Sequence, residues 1–166
     1  REGDEDGSRR EERRGSAKDR AENGVSVGLL RNDLHRVCAP GSVEVGELCA
    51  VETHPGVFQM VSTICGELRA GLDRCDLLAA TFPGGSMTGA PKIAAVNILE
   101  TLEPKVRGWY SGCQGYLGFD GGMDLSIVIR GIQLLGKRAL VGAGGAVVYD
   151  SDPEDEWREA LHQAAA

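Results

Sequence analysis

Asp19 and Glu22 stand three residues apart, and so do Glu156 and Glu159 near the other end of the chain. Residues at that spacing share one face of a helix, so each pair can present two carboxylates in one direction. If those faces meet, four acids repel one another unless a hard cation joins them. Mg2+, held through one or two carboxylates together with substrate oxygens, suits that chemistry. By spacing alone, the same acids fit solvated charges near helix N-termini better, where the dipole favours them.

A second candidate is "TFPGGSMTGAPK", residues 81–92. Its small residues and turn formers contain no acid, base or nucleophile for catalysis. Small residues leading into a helix do leave backbone N–H groups open to an anion, reinforced by the helix dipole. The order GxxxxGK[ST] of a phosphate loop is absent, and so is GxGxxG, so a carboxylate ligand fits as well as a phosphate. The plain alternative is an ordinary strand-to-helix turn.

These residues need elements to position them. Residues 1–15, "REGDEDGSRREERRG", have no aliphatic or aromatic side chain, and read as a disordered linker or segment end. A domain is predicted over 16–166. It opens with a helix over "SAKDRAENGVSVGLLRNDLHRV", with Ser16 and Asp19 at capping-box spacing. Gly24 and Gly28 weaken that helix by about 1 kcal/mol each. Two strands follow in "PGSVEVGELCAVETHP" and "GVFQMVSTICGEL", then a short helix in "DRCDLLAATF". "PKIAAVNILETLEP" has helical spacing up to Pro104. Three strand-like segments come next, "GWYSGCQGYLGF", "DLSIVIRGIQLL" and "RALVGAGGAVVY". A terminal helix over "SDPEDEWREALHQ" has Ser151 or Asp152 as its cap and Pro153 at its first position. Connections between the last strands are too short for crossovers, so the fold class is α/β with a mainly antiparallel sheet.

The net charge of −7 speaks against a nucleic-acid partner. The absence of any run of about 18 apolar residues speaks against a membrane-spanning helix. Five cysteines, odd in number and without a CxxC pair, read as reduced thiols of a cytoplasmic protein.

The segments "KDRAEN", "LLRNDL", "VST", "FPGGSMTGAPK", "YSG", "GYLGF", "MDLSIVIR" and "GAGGAVVYDSDPEDE" occur in an order and spacing that resemble the chorismate-utilising enzymes, the family of anthranilate synthase and aminodeoxychorismate synthase component I. The resemblance covers about residues 16–163. The glycine-rich stretch looks most like the aminodeoxychorismate synthase branch, with Gly84, Ser86 and Thr88 as the discriminating residues.

The resemblance implies the C-terminal part of a large two-layer α/β sandwich, with the family's "PIKG"-like lysine segment lying before residue 1. It implies Mg2+-dependent amination of chorismate, with ammonia from a glutamine amidotransferase partner. Residue by residue, it implies Glu22 and Glu159 as metal ligands, with Asp19 and Glu156 beside them. It implies Arg130 and Tyr110 as holders of a substrate carboxylate, and Thr88, Gly89, Gly144 and Gly145 as further substrate contacts.

Two candidate site positions and part of the first helix depart from the family pattern. Gln59 stands where the family has a histidine, and Gln163 where it has a lysine expected to meet a substrate carboxylate. A neutral amide cannot titrate near pH 7 as histidine does. Gly24, Ser26 and Gly28 replace two apolar residues and an aspartate, which predicts a loosely held helix around Glu22. The alternatives are anthranilate synthesis, or a non-catalytic remnant that binds chorismate or Mg2+.

Overall fold

The structure, a computed structural model, describes residues 17–55 and 57–165, and the side chains of residues 20–55 and 58–165. The expected linker over 1–15 and the Ser16 cap lie outside the described residues. The chain clusters into two compact units: residues up to Gly85 with Gly89–Ile93, and Ser86–Thr88 with residues 94 onward.

The first unit begins with α1, Ala17–His35. The helix runs unbroken through Gly24 and Gly28, and nothing lies within 4 Å of where a Cβ would stand on either. It is held elsewhere, by buried Val27 and Asp33 and by Asn23. β1, Glu44–His54, and β2, Val57–Cys65, form an antiparallel hairpin with irregular register between Glu47 and Ala50. Cys49 sits in that irregularity with φ 53°. Its N–H donates to Ser62 Oγ at 2.8 Å, and Ser62 Oγ donates to Asn23 Oδ1 at 2.5 Å. One serine hydroxyl therefore satisfies the bulged backbone and ties the hairpin to α1.

α2, Arg74–Thr81, starts at a reciprocal cap: Asp73 Oδ1 accepts from the Cys75 and Asp76 N–H groups, and Asp76 Oδ2 accepts from the Asp73 N–H. Such a cap satisfies donors that a helix start leaves open. Buried Val37, Cys38 and Ala80 form a small core with Leu34, Val43, Leu68, Leu72 and Leu77 around them.

The glycine-rich stretch joins two helices rather than a strand and a helix. It contains a 3-10 turn, Gly85–Met87, and leads into α3, Lys92–Leu102. Gly85 is required by packing, since a Cβ there would stand 2.7 Å from Leu29 Cβ.

In the second unit the three predicted strand segments become two antiparallel hairpins. β3, Cys113–Leu117, pairs with β4, Met123–Ile127, and β5, Ile132–Leu135, pairs with β6, Arg138–Val141. "DLSIVIRGIQLL" divides because Arg130 takes φ 53°, a left-handed conformation that no extended strand contains. "RALVGAGGAVVY" leaves its ladder after Val141, where its glycines settle against Tyr110. α4, Pro153–Ala165, begins as expected with Pro153, and Asp152 Oδ1 caps it by accepting from Glu154 and Asp155 N–H.

Every strand pair among the described residues is antiparallel, and with the helices this gives the mixed α/β class expected. Among the described residues no helix is long and apolar enough to cross a membrane.

Candidate functional site

The site candidates of the second unit are set by main-chain bonding. Val128 accepts from the Ser111 N–H at 2.9 Å and donates its own N–H to Gly112 O at 2.8 Å. This continues the β3–β4 pairing by one residue. It brings Tyr110, just before Ser111, and Arg130, two residues after Val128, to the walls of one cavity of about 270 Å³. Arg107, Gln114 and Gln133 supply other polar groups to that cavity, and Trp109, Ile132 and Leu140 supply apolar surface.

Arg107 is firmly held. Its Nε and Nη2 donate to the Glu103 carboxylate at 2.6 to 3.1 Å, and its Nη1 donates to Met87 O at 2.6 Å and Ser111 Oγ at 3.0 Å. Hydrogen bonding to Arg107 holds the Glu103 carboxyl below its ordinary range, and the same pairing raises Arg107 further.

The "GAGG" run spans from this cavity toward α4. A Cβ on Gly142 would overlap the Tyr110 ring, and one on Gly144 would stand 2.9 Å from the Tyr110 hydroxyl. A Cβ on Gly145 would lie 3.6 Å from Glu156 Oε2. The glycines thus allow a backbone to lie flat on an aromatic ring, which any side chain would prevent.

Glu156 is buried at 9% exposure, and its Oε1 accepts from Ser151 Oγ at 2.6 Å. Ser151, one of the two expected caps, holds this carboxylate while Asp152 does the capping. Glu159 is exposed, and its Oε1 accepts from Gln163 Nε2 at 3.2 Å. Thr88 is half-buried and directly follows Met87, whose carbonyl Arg107 holds.

Other candidates belong to the first unit. Gly89 has φ 136° and donates its N–H to Gly85 O at 3.2 Å. Gln59 is exposed on β2, paired with Glu52. Glu22 is half-buried on α1, and Asp19 lies on the same helix with its side chain outside the described residues. Among the described residues no group of three or more His, Cys, Asp or Glu side chains is gathered so as to hold a metal ion. The α4 carboxylates are nonetheless hard oxygen donors. Such a pair fits Mg2+, which needs few protein ligands when water and substrate oxygens complete its shell.

Sequence reasoning passed over Arg107, Glu103 and the pair Asp33 with Lys92. Glu103 and Arg107 are four apart, but both lie beyond the end of α3 at Leu102, so helical spacing gave no signal for their ion pair. The Asp33–Lys92 contact joins residues 59 positions apart.

The chain has relatives among known proteins. A family profile described as chorismate binding enzyme matches residues 1–166, and the chain belongs to that family. It is 51% identical over 151 residues to a probable chloroplastic aminodeoxychorismate synthase of Oryza sativa subsp. japonica, covering 91% of this chain and 17% of that protein. It is 50% identical over 144 residues to aminodeoxychorismate synthase component 1 of Escherichia coli, covering 87% of this chain and 32% of that protein. Among solved structures, anthranilate synthase component I from Streptococcus pneumoniae superposes with a TM-score of 0.90 at 38% identity, over 98% of this chain and 38% of that one. The chain therefore spans about a sixth to a third of the length of these curated relatives.

Proposed function

We propose that this chain binds chorismate in the cavity beside Tyr110 and Arg130, and takes part in its Mg2+-dependent amination to 4-amino-4-deoxychorismate, a step toward p-aminobenzoate and folate. Arg130 carries the reading. It lines the cavity from a left-handed backbone position, and a planar guanidinium fork suits a planar carboxylate. A non-glycine residue in that conformation is a costly arrangement that clusters at ligand sites. Support also comes from the relatives named aminodeoxychorismate synthase.

In this reading Tyr110 offers a hydroxyl and Thr88 a second one. Gly144 and Gly145 let the substrate approach the backbone. Glu156 and Glu159 are the residues of α4 that would hold Mg2+; bound there, the ion supplies positive charge that offsets a substrate carboxylate and a departing oxygen. Ammonia from a glutamine amidotransferase partner replaces a substrate hydroxyl, which leaves as water. Gln59 and Gln163 can orient groups by hydrogen bonding, but neither can carry a proton near neutral pH. The short coverage of the relatives supports a chain that works as part of a longer enzyme. A cytoplasmic setting fits the five free thiols.

The test is incubation of the full-length polypeptide with chorismate, Mg2+ and ammonia, with products separated by chromatography. Aminodeoxychorismate is expected. Anthranilate as sole product would overturn the assignment in favour of the anthranilate branch, which the Streptococcus structure keeps in view. A second reading, a remnant that binds without turnover, is favoured by Gln163, whose amide meets Glu159 where the family pattern has a lysine. Restoring Gln59→His and Gln163→Lys decides it: recovered turnover identifies these amides as the cause.

A further inference from the structure

We propose that Arg107 is a positioning residue of the chorismate site, a clamp that fixes Thr88 relative to Tyr110; the inference rests on the substrate reading above. Arg107 and Arg130 both line the cavity, yet they are placed for different work. Among the described residues Arg130 makes no side-chain hydrogen bond or ion pair, so its fork is available to a ligand.

The donors of Arg107 are already committed. One edge of its guanidinium, Nε and Nη2, faces the Glu103 carboxylate, and Nη1 divides between Met87 O and Ser111 Oγ. A substrate carboxylate could take this fork only by displacing Glu103. The partners of Nη1 are the immediate neighbours of two proposed substrate contacts. Met87 precedes Thr88, and Ser111 follows Tyr110. Ser111 is 8% exposed, with φ 68°. Such a conformation persists only where surrounding bonds over-determine it, and here those bonds are the Val128 carbonyl and Arg107. Only a planar group with five donors reaches all three partners at once. A lysine is a compact point charge and cannot.

The experiment uses the full-length polypeptide with Arg107→Lys, Arg107→Met and the milder Glu103→Gln, which keeps the clamp in a weakened form if the arginine variants fold poorly. Backbone amide hydrogen exchange is followed at Thr88 and Ser111, with Gln133 and Leu140 of the β5–β6 hairpin as internal reference. Chorismate affinity is read by calorimetry, alone and combined with Thr88→Ala.

Exchange at Thr88 and Ser111 is expected to rise about tenfold or more on loss of the charged hydrogen bonds, with the reference amides unchanged. The chorismate Kd should rise by a similar factor in Arg107→Lys, and Thr88→Ala should add nothing further. Unchanged exchange at both segments, an equal rise across the reference hairpin, or additive losses with Thr88→Ala would each overturn the clamp. A wild-type full-length polypeptide that binds no chorismate would overturn the substrate reading instead, and the exchange pattern alone would then decide whether Arg107 fixes the two segments.

Discussion

Asp33 on α1 and Lys92 at the start of α3 lie 59 residues apart, and their side chains meet at 2.5 Å. Lys92 Nζ also donates to Pro83 O at 2.8 Å and to Thr81 O at 3.4 Å. One ammonium group thereby fastens the first helix to the glycine-rich connection. Asp33 is 4% exposed, so removing its partner strands a buried charge. Lys92→Met should lower stability by about 3–5 kcal/mol. Pairing it with Asp33→Leu should restore most of that loss. Urea unfolding measures both, and a loss under about 1 kcal/mol in the single variant would show the pair to be ornamental.

The glycines of α1 predict the opposite sign. Gly24 and Gly28 are exposed in the helix with open space around them. Gly28→Ala should therefore stabilise the chain by about 0.5–1 kcal/mol, through helix propensity alone. Thermal unfolding reads the gain; a loss would mean that the glycine serves a contact.

Gly142→Ala should be costly at the site. Its methyl group would overlap the Tyr110 ring, so either the ring or the loop must move. The expected outcome is a fall in chorismate affinity of about tenfold or more, as for other overpacked positions. Calorimetry checks it, with Gly28→Ala as the control that leaves affinity unchanged.

The Glu103–Arg107 pair gives a pH dependence whose sign follows from the lowered carboxyl. Its folded pKa lies below the ordinary 4.5. The stabilisation is therefore fully present above about pH 4.5 and is lost as pH falls through the folded value. Glu103→Gln should flatten the acid limb of the stability curve over that window while leaving stability near pH 7 changed only modestly, because the pair is partly solvent-exposed. Unfolding midpoints from pH 3 to 7 test this.

Much of the fold could be read from local chemistry. Pro104 ends a helix, Asp152 and Pro153 start one, and alternation around Pro55 marks the hairpin. What escaped was set by backbone conformation or by distance. "DLSIVIRGIQLL" looks like one strand because its β-branched residues are continuous, and arginine gives no hint that position 130 turns left-handed. The Asp33–Lys92 and Arg107–Met87 contacts join residues 59 and 20 positions apart, beyond the reach of any periodicity. The candidate site was legible in a different way. Tyr110, Arg130 and the paired glycines stood out through their resemblance to a family, whereas the clamp beside them became visible only in three dimensions.

The two main-chain bonds that Val128 exchanges with Ser111 and Gly112 carry a consequence for how this sequence can drift. Backbone bonds do not depend on side-chain identity, so position 128 can change among residues of similar size without moving Tyr110 away from Arg130. Length is another matter. Residues gained or lost in the turn between Leu117 and Met123 fall outside the pairing and leave the register alone. A single residue inserted within β3 or β4 would slip the ladder and turn every following side chain to the opposite face. In a lineage of such chains, substitutions should accumulate along these two strands while insertions and deletions collect at their tip.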